Sequence, residues 1–261
     1  LTAHPTSRVP SRADSFDVER IRTIRLVAES AENAWFVGDD ELAVAWTGAG
    51  TITANGLVSA RPDVTAAEFE ALRARLGAER DFRIAQVGAT PTEDQTRWAA
   101  DRGLEKTAAL PTMSTSLADE VTAPPATRTV RPADRSHVDG IQRCMAISFG
   151  LGENVASTAP FANESLLARP EVSAFVVTDE DGQVVSTGMS VQTSPRIVGL
   201  YAIGTLPEHQ RQGHGAAVTW ALMHAAREQG AEVAYLQASD EGAPVYERLG
   251  FETVATRTYL F

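Results

Sequence analysis

Two glycines flank a histidine in the run Gln210-Arg211-Gln212-Gly213-His214-Gly215-Ala216, at the head of a stretch with helical periodicity that reaches Glu228. Glycine adopts positive φ at little cost and lets a backbone approach a ligand closely. The first turn of a helix has unpaired N–H groups and a partial positive charge. A glycine turn that feeds a helix is therefore suited to an anion, phosphate above all. Arg211 adds one fixed charge, which Glu208 formally offsets. The competing reading is a tight strand-to-helix connection with no ligand. Two phosphate-binding patterns are excluded: a P-loop closes on Gly-Lys-Ser/Thr, and the chain has no Gly-Lys pair. A dinucleotide turn needs a third small residue where Val218 stands.

The same seven residues match the [Q/R]-x-x-G-x-[G/A] signature of the GNAT superfamily, the acyl-CoA-dependent N-acyltransferases. A strand ending "AIGTLPEHQ" before them and "QASDEGAPVYERLGFE" after them resemble the flanking motifs of that family, and the resemblance covers roughly Arg128 to Phe261. It implies an α/β fold with a central mixed sheet flanked by helices, and acetyl-CoA as cosubstrate without a metal. It also implies that Ile203, Gly204 and Thr205 offer main-chain groups to pantetheine where two central strands splay apart. Arg211, Gln212, Gly213, His214, Gly215 and Ala216 would hold the pyrophosphate. Ser239 stands where many members have an asparagine that contacts the cofactor. Tyr246 corresponds to the family's tyrosine, a general acid that gives a proton to the departing thiolate. The implied reaction is direct attack by a primary amine, on a small molecule or a peptide, in a ternary complex. An acyl-CoA-binding regulator of the same fold is the alternative, and transfer to a hydroxyl a third.

The general base is a gap. An alkylammonium group, with a pKa near that of lysine at about 10.4, must lose a proton before it attacks. Neither Ile197 to Ile203 nor Val233 to Gln237 contains a carboxylate. Glu153, in the loop "FGLGENVASTAPF", is a candidate, as is a water chain to solvent. Phe149 and Phe161, at the ends of that loop, are candidate walls for the acceptor. Cys144, the single cysteine, lies in a helical pattern without a residue to activate it and reads as a buried thiol.

These groups need elements to position them. In the second half, "ADRSHVDGIQRCMAISFG" reads as a helix, "VSAFVVTDEDGQVVSTGMSVQ" as a hairpin turning at Asp181-Gly182, "RIVGLYAIGT" as a strand and Gly215–Glu228 as a helix. "VAYLQAS" is a strand, Ala243–Leu249 a short helix with Val245 and Leu249 on its buried face, and "TRTYLF" a last strand. In the first half, "VERIRTIRLVAESA" and "TAAEFEALRARLGA" read as helices, the second with Thr65 as N-cap, and "TEDQTRWAADRG" as a third. "ELAVAW" and "FRIAQVG" read as strands, and "TITANGLVSA" as a strand or turn around Asn55-Gly56.

"WAADRGLEKTAALPTM" and "YERLGFETVATRTYLF" end the two halves alike: helix, glycine, large apolar residue, glutamate, strand. With "TANGLVSA" and "LPTMSTSL", the first half resembles the amino-terminal module of tandem GNAT proteins. It has no Q-x-x-G-x-G, which implies a degenerate copy without cofactor. The expected organisation is a disordered tail at 1–15, a degenerate GNAT-like domain at 16–117, a Pro124-Pro125 linker at 118–128 and a catalytic GNAT domain at 129–261.

Composition narrows the classes further. A 43% hydrophobic and 22% charged chain of 261 residues folds into a packed core. Its net charge of −11 argues against sequence-independent nucleic-acid binding and against a polybasic membrane patch. One cysteine suits a reducing, cytoplasmic setting. Oligomeric state is left open.

Overall fold

The computed structural model describes residues 12–76, 80, 82–118, 123–125, 129–152 and 154–261, without the side chains of 12–14. The first half runs α1 (Arg12–Ser30), β1 (Trp35–Gly38), β2 (Leu42–Trp46), β3 (Gly56–Ser59), α2 (Ala66–Ala74), β4 (Ala85–Val87), α3 (Glu93–Ala100) and β5 (Thr107–Ser116). The second runs β6 (Val130–Pro132), α4 (Val138–Ser148), α5 (Glu164–Leu167), β7 (Val172–Thr178), β8 (Val184–Val191), β9 (Ile197–Thr205), α6 (His214–Glu228), β10 (Val233–Gln237), α7 (Ala243–Glu247) and β11 (Glu252–Leu260). Local chemistry sets several boundaries. Thr65 and Thr92 close reciprocal capping boxes with Glu68 and Gln95, which satisfy N–H groups at both helix starts. The β7–β8 hairpin turns with Gly182 at φ 81°, as the Asp-Gly pair predicts. Gly77, the expected stop of α2, lies outside the described residues; so do residues 119–122 and 126–128 of the linker. The helix expected from Val18 begins at Arg12, inside the segment assigned to a disordered tail, of which residues 1–11 are outside the described residues. Phe16 and Asp17 explain the earlier start, because both are buried against the sheet.

Among the described residues, all eleven strands form one mixed sheet, in the order β1-β2-β3-β4-β11-β5-β10-β9-β8-β7-β6. The last strand of each half has crossed into the sheet of the other. β5 pairs with β10 from Val233↔Ser116 to Gln237↔Thr112, and β11 pairs with β4 from Thr258↔Val87 to Leu260↔Ala85. β5 and β11 then pair antiparallel with each other and join the halves. A boundary at 118–128 thus divides the sequence and not the sheet. The similar ends of the two halves make this exchange possible, since each strand meets an equivalent neighbour in the other sheet.

Neighbouring residues on a strand point to opposite faces. A Cβ at Gly188 would touch Val218 and Leu222 of α6, whereas Met189 packs with Leu26 and Val27 of α1 and Leu166 of α5. So α6 covers one face and α1 the other. Although α1 belongs to the first half and packs on β2 and β3 through Ile21 and Ile24, it also lies on strands of the second. Phe16 stacks on Tyr235 of β10 at 4.9 Å, and Tyr201 of β9 donates to Thr23 at 3.2 Å.

Beneath α1, the carboxylate of Asp17 accepts from Arg257 Nε of β11 at 2.6 Å and from Gln86 Nε2 of β4 at 3.3 Å. Burial pushes the Asp17 carboxyl up, while Arg257, Arg20 and Gln86 pull it down. A buried carboxylate left without its cation is far more costly than the pair is stabilising. Arg257→Leu is therefore expected to lower unfolding stability by about 3–5 kcal/mol in urea titration, and Asp17→Asn added to it should restore part of the loss.

Candidate functional site

β9 and β10 run parallel and pair from Ile197↔Val233 to Gly199↔Tyr235, where the pairing ends. β10 continues to Gln237 on β5, and β9 to Thr205 on β8, so a fork opens between them. The β8–β9 register slips by one residue between Thr187↔Gly204 and Met189↔Tyr201. The extra residue is a bulge on β9, where Ala202 takes φ 55°. Left-handed backbone is unfavourable for alanine and marks a position the surroundings impose. The bulge lies on β9 beyond its last pair with β10, where the sequence leads one to expect a splay.

The expected residues fall around this opening. Ile203 packs against the α6 core, with Cγ1 at 3.2 Å from where a Cβ on Gly188 would sit. Gly204 is glycine for a packing reason: a Cβ there would lie 2.9 Å from Ser148 Cβ of α4. Its carbonyl accepts from Ser186 Oγ at 3.0 Å, which orders the end of β9. Thr205 Oγ1 shares a 2.9 Å hydrogen bond with Ser186 Oγ. The chain then passes through a 3-10 turn at Pro207–His209, with left-handed Arg211 (φ 59°) and Gly213 (φ 83°), into α6. That helix begins at His214, one residue earlier than expected, and no side chain caps it. A Cβ on Gly215 would meet Thr205 Oγ1 alone, at an ordinary 3.5 Å. The end of β9 and the start of α6 are therefore adjacent, and protein packing does not demand glycine at 215.

The other side chains of the motif differ in placement. Arg211 is exposed, Gln212 Nε2 donates to the Glu208 carbonyl at 3.5 Å, and Ala216 is half-buried. His214 is buried, with 1% exposure, so its ring packs inside the turn. Ser239 Oγ accepts from the Gly242 N–H at 3.1 Å and orders the approach to α7. Glu153 lies outside the described residues.

Tyr246 corrects one expectation. In α7 it is Tyr246 that is buried, as is Leu249 just beyond the helix, whereas Val245 is half-buried. In so short a helix the three-residue spacing decides the inward face, and the Tyr246 ring packs at 5.9 Å from Phe251. No hydrogen bond from the described residues holds its hydroxyl, and burial pushes its pKa up to about 12. Tyr246 is thus protonated at neutral pH.

Phe149 is exposed at the end of α4, with Cε1 3.8 Å from where a Cβ on Gly204 would lie, while Phe161 packs into the core. Two features escaped the sequence reading. Ala202 has no sequence signature for a bulge. The cover of α1 over the fork is non-local, and no local pattern announces it. A Cβ at Gly199 would collide with the Tyr201 ring, whose hydroxyl meets that of Tyr235 at 2.6 Å.

Residues 144–251, from α4 to the start of β11, match the acetyltransferase (GNAT) family. These residues form a GNAT acetyltransferase domain. The fork, the glycine turn and Tyr246 all lie within it. The chain is also similar in structure to a GCN5-related N-acetyltransferase from Kribbella flavida, at 21% identity and TM-score 0.67, covering 97% of this chain and 96% of the other. A Drosophila protein aligns at 14% identity and TM-score 0.58 over 95% of this chain and 90% of its own. A GCN5-related N-acetyltransferase from Sphaerobacter thermophilus aligns at 17% identity and TM-score 0.51, over 73% and 64%. No curated protein sequence matches the chain. Likeness over nearly the whole chain extends the mixed α/β fold beyond the GNAT domain and is consistent with two GNAT-like domains. Among the described residues, no helix is long and apolar enough to cross a membrane, and no group of three or more His, Cys, Asp or Glu is placed to hold a metal.

Cys144 of the GNAT domain is buried on α4, and burial pushes its thiol up to about 11. The thiolate is the reactive form. At pH 8, iodoacetamide should leave Cys144 unmodified in the folded protein and alkylate it readily in urea, as read by mass spectrometry.

Proposed function

We propose that the chain transfers an acetyl group from acetyl-CoA to a primary amine, on a small molecule or a peptide, within a ternary complex. The observation that carries this reading is the fork: unpaired β9 backbone that ends against the uncapped start of α6. Main-chain groups of Ile203, Gly204 and Thr205 lie along one side of it, suited to pantetheine. The turn from Arg211 to Ala216 suits the pyrophosphate, because helix-start N–H groups and a nearby cation favour an anion. The free space at Gly215 fits a ligand that needs close backbone approach.

In the proposed reaction the amine nitrogen attacks the thioester carbon, a C–N bond forms, and the C–S bond breaks. Backbone N–H groups at the fork stabilise the oxyanion. The departing thiolate takes the proton of Tyr246, which regains one from the substrate nitrogen. Binding both substrates side by side supplies orientation. The first amine proton leaves through water or through Glu153, since β9 and β10 carry no carboxylate. That absence favours the second reading, an acyl-CoA-binding regulator of the same fold. Release of free thiol from acetyl-CoA with a panel of amines separates the two: cofactor binding without turnover would support the regulator. The charge of −11 supports an acceptor other than nucleic acid, and the single buried thiol suits a cytoplasmic setting.

Two substitutions test the roles. Gly215→Val should leave the fold intact, yet lower acetyl-CoA affinity by at least ~10-fold, about 1.4 kcal/mol, in calorimetry. Normal binding by the folded variant would remove the turn from the site. Tyr246→Phe should lower kcat by roughly 10²-fold with acetyl-CoA affinity little changed. The acid form of Tyr246 persists to about pH 12. Any alkaline fall in kcat below about pH 11 should therefore survive in Tyr246→Phe unchanged in position.

A further inference from the structure

The start of α6 and the α1 cover lie on opposite faces of the sheet. With the cofactor beside α6, the α1 face is left to the acceptor. β10 borders the fork, and its last residues, Leu236 and Gln237, extend beyond its final pair with β9 at Tyr235. Residues two apart on a strand share a face, as do residues directly opposite on paired strands. Tyr235 stacks on Phe16 of α1, so Gln237 lies on the α1 face too. Thr112 of β5, directly opposite Gln237, joins it there.

Polar side chains from three further elements converge on this spot. Tyr259 Oη of β11 donates to Gln237 Oε1 at 2.7 Å. The guanidinium carbon of Arg20, on α1, stands 5.5 Å over the Tyr259 ring, and Arg20 Nη2 donates to the Thr53 carbonyl at 2.6 Å. Three atoms of this group are buried without a hydrogen-bond partner: Arg20 Nη1, Gln237 Nε2 and Thr112 Oγ1. Arg20 is only 3% exposed and Thr112 only 4%. Buried polar atoms are normally paired, and an unpaired one is costly.

The guanidinium is the costliest of the three. Among the described residues no ion pair includes Arg20, because its acidic neighbours are taken. Asp17, one turn earlier on α1, accepts from Arg257 at 2.6 Å. Glu19 accepts from Arg22 at 2.9 Å and from the Thr193 hydroxyl. Arg20 itself meets a carbonyl and an aromatic ring, neither of which carries a charge. A buried cation is stable where an anion meets it with good hydrogen bonds. All three unpaired atoms can donate, and a carboxylate accepts several hydrogen bonds while supplying the opposite charge.

We infer that the amine acceptor carries a carboxylate, and that Arg20, Gln237 and Thr112 bind it on the α1 side of the fork. The inference rests on the proposed acetyl transfer. Gln237 is the half-buried member and lies on the strand that borders the fork, so the acceptor enters past it. The carboxylate goes to Arg20, and the amine is left toward the thioester. The net charge of −11 does not oppose this. Exposed charges are screened beyond about 8 Å at physiological ionic strength, and buried contacts much less.

The test uses the full chain with acetyl-CoA and three acids, glycine, β-alanine and 4-aminobutyrate, each beside its own carboxamide. Rates are compared at equal concentrations of free amine, which removes the difference in amine pKa. Hydrogen bonds to charged groups are stronger than neutral ones, so the acid that spans the site should exceed its amide in kcat/KM by at least about tenfold. Arg20→Met should cut that preference to below about threefold. Thr112→Val removes a hydroxyl that has no partner in the folded protein, so it should reduce the preference at least about threefold without lowering Tm. Gln237→Leu should reduce the preference likewise, and these two variants carry the test if Arg20→Met folds poorly. Amides turned over as well as their acids throughout the series would overturn the carboxylate. An unchanged preference in every folded variant would overturn the site, as would a Thr112→Val protein that loses stability along with preference. Acetyl-CoA binding with no amine turned over would remove the transferase reading, and calorimetry then reads the site by itself. The acids should bind the unaltered protein and not Arg20→Met; no binding to either would overturn the inference.

Discussion

The architecture rests on two parallel strands that stop pairing. Backbone N–H and C=O groups inside a protein need partners, and an unpaired strand edge in a core is costly unless something else satisfies it. β9 and β10 part at Gly199 and Tyr235 because each is held on its outer side, β9 by β8 to Thr205 and β10 by β5 to Gln237. The bulge at Ala202 adds the residue that swings β9 away. Since β5 comes from the first half, the fork depends on a strand outside the 144–251 domain. The first half thus flanks the fork with the backbone of β5.

Burial then assigns chemistry to the side chains around the opening. Cys144 and Tyr246 are both pushed up by desolvation, with opposite consequences. A thiol held neutral is a poor nucleophile, whereas a phenol held neutral remains a proton donor. The same low-dielectric setting explains why a carboxylate at the fork would be costly without a partner. Under α1, where a carboxylate is buried, it has Arg257 beside it.

Local chemistry was legible in the sequence. The glycine pair, the Asp-Gly hairpin and the Thr65 cap each act through residues within a few positions, and each lies where its pattern placed it. Non-local facts were not. Alanine has no mark for left-handed backbone, so the bulge at Ala202 was invisible. The inward face of α7 turned on a choice between spacings of three and four in five residues, and Tyr246 lies on the face not chosen. His214 was placed in the pyrophosphate turn, but periodicity from a helix start could not say that its side chain packs inward. The alike ends of the two halves pointed to repetition. They could not reveal exchange, because a strand compatible with both sheets carries no label for one.

That exchange has a consequence for biosynthesis. A ribosome releases the first half well before the second, but the sheet of the first half lacks its outer neighbour until residues 252–260 emerge. Until then β4, three residues long, is an open edge on a nascent chain. β5 meanwhile awaits β10 across more than a hundred residues of unfinished sequence. Contacts so distant along the chain close slowly, and chains that wait with exposed edges are the ones chaperones attend. The two halves mature together, once residues 252–260 have been made.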